Sequence, residues 1–220
     1  SMHVKGATAQ FAGLPDLQVV RVEADIPDLM HTVVGVDATV SGPLADALGI
    51  VNNSPLSRIT NQALAQAVAT GPAEVKLKLA LPIAQIERSK VQGSVAFTGG
   101  NDLRVVPQAP QLSRLRGSVA FSDTGFLLNG VQARALGGDV RLEGGLRPPP
   151  AGTQPPDPVL QLRANGSFSA EGLRQASELG FVAGLAAQAT GSAPYSLVLG
   201  MRRGQPEIQV QSSLQGLALN

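Results

Sequence analysis

The chain has 220 residues, 43% of them hydrophobic but only 3% aromatic, and carries 17 Lys and Arg against 16 Asp and Glu. This is enough apolar material for one large or two small domains with an aliphatic interior, and it excludes disorder along the whole chain. A net charge of +1, a longest basic cluster of only Arg202-Arg203 and so few rings argue against a nucleic-acid partner, while the absence of cysteine removes disulfides and thiolate metal sites.

Ser1-Met2 reads as the remnant of a cleaved tag before a start of convenience, so the sequence is taken as a piece of a larger protein and its lack of a signal peptide says nothing. Strands are predicted over 3–12, 17–26 and 33–41. Pro43 suits a first helical position, and Leu44, Ala47, Leu48 and Val51 then recur at helical spacing, which predicts a helix over 43–52. A second helix is expected near 57–69, where Ile59, Ala63, Leu64, Ala67 and Val68 form one stripe that Gly71-Pro72 stops. In EVKLKLAL (74–81), Val75, Leu77, Leu79 and Leu81 point one way and Glu74, Lys76 and Lys78 the other, the pattern of a strand with one dry and one wet face.

VQGSVAF (91–97) returns as LRGSVAF (115–121), with its glycine 24 positions further on. Such a repeat is the mark of a structural unit that buries its apolar side beside similar units. An even separation keeps Val95 and Phe97 on the same face as Val119 and Phe121. A meander with one strand between the copies is preferred, which would place Phe97 and Phe121 about 10 Å apart, whereas a solenoid would stack them at roughly 5 Å. Pro107 and Pro110 imply a break, bulge or edge between the copies. Further strands over 125–135 and 138–146 follow, and Gly99-Gly100-Asn101-Asp102, Ser122-Asp123-Thr124-Gly125 and Gly137-Gly138-Asp139 read as turns.

The proline-rich stretch 147–157 is a loop or a linker. Beyond it come a strand over 158–168, a helical stretch from about 170 to 188, and strands over 194–202 and 207–214. This repeats the earlier order of strand, helices, glycine turn and strand, with Ala-Thr-Gly ending at Gly71 in one copy and at Gly191 in the other. The expected organisation is a first β-rich module over 3–146 and, over 158–220, the start of a similar repeat continuous with the sheet. LGFVAGLAAQA (179–189) falls well short of the roughly 20 residues of a membrane-spanning helix, so the piece is expected to be soluble.

Residues that carry chemistry are scarce. His3 and His31 stand outside any metal-binding spacing, and no nucleophile elbow or phosphate-binding glycine loop occurs. Asp25 and Asp28, or Glu171 and Glu178, have no signal that would pair them as acid and base, and the triplets at Asn52 and Asn165 read as turns or helix starts rather than glycosylation sites. No catalytic residue, metal or cofactor is assigned. What remains is the sheet: if two or three short helices do not cover its aliphatic face, that face becomes an apolar groove suited to acyl chains. Periodicity alone favours the other outcome, a closed sandwich with a dry core.

The succession of motifs carries further. Gly42-Pro43 opening a helix, SPL at 54–56, LPI at 81–83, the glycine of VQGSVAF, a Pro-containing link, RLRGSVAFSDTG at 114–125 and ALGGDVRLEG at 135–144 together resemble the YhdP family of large AsmA-like bacterial envelope proteins, most fully over 33–146. The resemblance implies a mainly β fold with short helices, an extended, curled antiparallel meander with an apolar inner face; a closed β-sandwich or a β-solenoid are the alternatives. It further implies a periplasmic segment of an inner-membrane-anchored protein whose groove moves phospholipids between inner and outer membranes. The partners would be phospholipid acyl chains and the remaining parts of the same long protein. Val75, Leu77, Leu79, Val95, Phe97, Val119 and Phe121 would line the groove, unless they face a helix as core. The rival expectation is a structural or interaction module without lipid cargo.

Overall fold

The computed structural model describes residues 2–5, 18–26, 33–53, 57, 62–82, 89–148, 159–202 and 205–219. The chain enters through β1 (Met2–Lys5), β2 (Gln18–Ile26) and β3 (Val33–Pro43), turns into helix α1 (Leu44–Asn52), and resumes as the short β4 (Val68–Thr70) and β5 (Pro72–Pro82). A run of long hairpin strands follows: β6 (Lys90–Arg104), β7 (Leu112–Ser122), β8 (Gly125–Ala135), β9 (Gly138–Arg147) and β10 (Val159–Ser169). Two short helices, α2 (Ala170–Gln175) and α3 (Phe181–Leu185), then lead to β11 (Ala189–Arg202), β12 (Gln205–Ser212) and β13 (Leu217–Leu219).

Strand predominates among the described residues, and these strands form one open antiparallel sheet. Neighbours follow chain order from β1 through β3, then β5 to β12, with β4 added beside β6 and β13 beside β11. The closed sandwich that periodicity favoured is therefore not formed. Alternation fixed which side of each strand is apolar, but it could not say whether that side meets a second sheet. β9 and β10 pair directly, from Arg147 opposite Val159 to Val140 opposite Gly166, so the sheet runs unbroken past the proline-rich stretch, of which residues 149–157 lie outside the described set.

The twin pentapeptides lie on adjacent strands, not on strands separated by a third. Residues 105–111 between β6 and β7 are loop and turn. The register sets Gly93 opposite Phe121, Val95 opposite Val119 and Phe97 opposite Gly117, so Gly-Ser-Val-Ala-Phe pairs with its own copy in reverse. Each phenylalanine thus meets a glycine across the ladder. A methyl group at Gly93 would stand 2.5 Å from the Phe121 ring, whereas Gly117 is held to glycine by its φ of +97 and by the Gly130 carbonyl 2.5 Å from where a methyl would lie.

Gly99-Gly100-Asn101-Asp102 is not a turn that ends a strand. β6 runs through it with a shift of register between Thr98 and Asn101, a bulge built around a fully buried asparagine. Asn101 Nδ2 donates to the Pro72 carbonyl at 2.7 Å, and its Oδ1 accepts from the Thr98 backbone N–H at 2.9 Å, replacing the ladder bonds that the bulge interrupts. Of the second helix predicted near 57–69, residues 58–61 lie outside the described set, 62–66 are turns, and Val68–Thr70 pairs with β6 as a strand. The helical stretch near 170–188 is present but broken, because Gly180 takes φ +53 between α2 and α3.

The two Ala-Thr-Gly copies occupy equivalent places. Gly71 (φ +88) lies against the Gly100 carbonyl and Gly191 (φ +91) against that of Gly216, where an added methyl would stand only 2.5 and 2.0 Å from oxygen. Each lets the chain cross closely from a short strand segment into a long one. Because all pairings are antiparallel, β3 and β10 end at the same edge of the sheet, so α1 and the α2–α3 segment gather at that edge and leave the opposite one without helices among the described residues.

Candidate functional site

The register joins the dry sides of the strands into one surface. One row runs Val40, Val75, Val95, Val119 across β3, β5, β6 and β7. It continues through Leu128, Gly144, Leu162, Leu199 and Ile208 on β8 to β12. Nine strands at about 4.8 Å spacing make this row roughly 38 Å long, more than the roughly 30 Å hydrocarbon thickness of a bilayer. A parallel row, one step toward the helix-free edge, holds Leu77, Gly93, Phe121, Phe126, Leu146 and Leu160.

Burial divides this surface along its strands. Near the helices, Leu44 and Ala47 of α1 pack with Ala69 and Ala73, and Val75, Val95 and Phe97 lean against that cluster. A second cluster, Leu115, Val131, Ala133, Ala135, Val140 and Ala164, belongs wholly to strands β7 to β10. Leu115 is 1% and Val131 2% exposed with no helix in their cluster, so the sheet itself bends around them, and the register shifts in β6, β7 and β8 provide that bend. Among the described residues, eleven of the seventeen buried hydrophobic ones are alanines, so this core is made chiefly of small side chains. The larger ones on the same face are mostly only half-buried.

The seven residues expected to line a groove all lie on this one face. Val75, Val95 and Phe97 touch the α1 cluster, while Leu77, Leu79, Val119 and Phe121 belong to neither buried cluster, and all seven are half-buried. Phe126, Leu128, Leu146, Leu160, Leu162 and Leu199 share the surface and were not singled out by sequence. Their alternation was visible, but only register shows which neighbour each one faces.

The other side of the sheet is polar. Lys78 pairs with Asp37 at 3.2 Å, Lys76 with Glu74 at 3.3 Å and Arg141 with Glu143 at 2.8 Å, all between well-exposed side chains. The few perturbed groups do not make a reactive site. Glu171 is held below the usual carboxylate range by hydrogen bonds from Arg174 and Gln175 on its own helix, which makes it a structural ion pair and not half of an acid–base couple. Desolvation pushes Tyr195 above its ordinary value beside the Phe168 ring. Among the described residues no group of three His, Asp or Glu could hold a metal, and no helix is long and apolar enough to cross a membrane. His31 and Asp28 lie outside the described residues. Asn52 caps a loop through Leu64, and Asn165 sits mid-strand in β10.

The sequence resemblance implied a curled antiparallel sheet with an apolar inner face, and comparison with protein families decides the family: the one described as YhdP protein matches residues 1–220. The chain belongs to the YhdP family. Membership suggests an AsmA-like envelope protein with a structural or transport role, and YhdP is not a known enzyme family. No curated protein and no solved structure matches this YhdP chain.

Proposed function

We propose that this chain is a segment of a phospholipid conduit of the bacterial envelope, and that its open face holds acyl chains while head groups stay in water. The observation that carries this is the apolar row from Val40 to Ile208, half-buried over most of its length and, beyond the part that α1 covers, without a second layer among the described residues. Each methylene laid on such a surface gains about 0.8 kcal/mol, without any covalent step and without selectivity for a particular chain. The row itself carries no polar side chain to arrest a sliding lipid. Location in the periplasm, as part of an inner-membrane-anchored protein, is the family-level expectation that fits this use.

Continuity with the rest of a long protein is the companion proposal. On the edge strand β12, Ile208 and Val210 are each 63% exposed and lie in register with Leu199 and Leu197, so the apolar surface reaches the last long strand of the sheet undiminished. A following strand of the same protein would extend both the ladder and the surface.

Mass spectrometry of gently purified protein tests the lipid reading. Phospholipid is expected to accompany the chain, and Leu79→Glu, at a half-buried site outside both clusters, is expected to keep the strand signature in circular dichroism while losing most of that lipid. Lipid-free protein, or unfolding by this one charge, would show a sealed structural core instead.

A further inference from the structure

We propose that the polar face carries a second binding site, a crevice of about 390 Å³ that takes a phosphate-type oxyanion between Arg114, Arg116, Arg134 and Arg141. Two cross-strand rows build it. Arg116, Gln132, Arg141 and Asn165 stand opposite one another on β7 to β10, and Arg134 faces Asp139 in the next row. The crevice sits where β7 slips register on both sides of Arg116 and Arg114 takes φ +54, so a bulge opens the otherwise regular surface.

Its charges are poorly matched within the protein. Elsewhere on this face Lys76 pairs with Glu74 and Lys78 with Asp37. Within the crevice, four guanidiniums meet the single carboxylate of Asp139, which makes no ion pair with any of them. Arg141 gives its Nε to Glu143 outside the lining, and Arg134 gives one N–H to the Gly137 carbonyl at 3.2 Å. Arg114 and Arg116 have no hydrogen-bond or ion-pair partner among the described residues. Like charges gathered across a sheet repel, and a tetrahedral oxyanion removes that repulsion while using guanidinium forks that suit it geometrically. The Gln132 and Asn165 amides add neutral donors at the same rows. Since the apolar surface is on the other side of the sheet, this site is independent of the acyl-chain reading.

Two titrations of the whole 220-residue chain separate the sources of such an anion. Inorganic pyrophosphate, followed by calorimetry, probes a free phosphate; flotation with phosphatidylglycerol vesicles, against phosphatidylcholine ones, probes a lipid head group. Saturable pyrophosphate binding, or selective flotation with the anionic vesicles, is expected, and the double variant Arg116→Gln, Arg134→Gln should weaken it at least about tenfold. The double variant Lys76→Gln, Lys78→Gln removes the same charge from the same face away from the crevice and should change little. Absence of both binding signals, or an equal loss in the two double variants, would overturn the proposal.

Discussion

Glycine and phenylalanine at the twin pentapeptides show how single residues shape this surface. Gly117 takes φ +97, and a methyl group there would stand 2.5 Å from the Gly130 carbonyl oxygen. Gly117→Ala should therefore destabilise the fold by about 1–3 kcal/mol, read as a lowered thermal midpoint, and an unchanged midpoint would mean that the bulge is not held as described. Tyr195 is the single tyrosine in the chain, so its ionisation can be followed alone by tyrosinate absorbance. Desolvation raises its pKa above 10.0, hence its contribution to stability is complete below that value and fades as pH rises through the higher folded one. Titration of the folded protein should show a midpoint above that of the denatured chain; coincident midpoints would place the ring in water.

At the scale of elements, the decisive joint is the crossing of β4 and β5 over the bulge in β6. Asn101 serves both sides of it, donating to Pro72 and accepting from Thr98. Asn101→Ala leaves those backbone groups without partners and should cost about 1–3 kcal/mol. Hydrogen exchange should quicken first at Thr98 and across β4, while β9 and β10 stay protected; uniform quickening would contradict a local joint. Sequence showed the strands here but not the joint. Gly99-Gly100 in isolation has the composition of a turn, and only the buried amide at the next position turns it into a bulge inside a strand fifteen residues long. The loss of Val68 and Ala69 to a strand has a similar cause: their helical spacing is real, but pairing with Leu103 and Arg104 decides their conformation.

Across the whole molecule, alternation such as Val75, Leu77 and Leu79 made the two-sided character of the sheet legible, and the ordered series of Gly and Pro motifs made the family legible. Register was not legible, and with it went the pairing of the repeated pentapeptides, the full apolar row and the arginine crevice. The arginines between positions 114 and 141 are dispersed along the chain and meet only because β7, β8 and β9 are neighbours. The closed sandwich failed as an expectation because burial depends on a second layer, which no strand encodes by itself. The resulting picture is an open sheet with an aliphatic lane on one side and charges on the other. Photocrosslinking with a phospholipid that carries its reactive group on the acyl chain tests that picture most directly, with adducts mapped by mass spectrometry. Adducts should concentrate on Leu77, Leu79, Val119, Phe121 and their row neighbours on β8 to β10; labelling spread evenly, or confined to the charged side, would contradict the account.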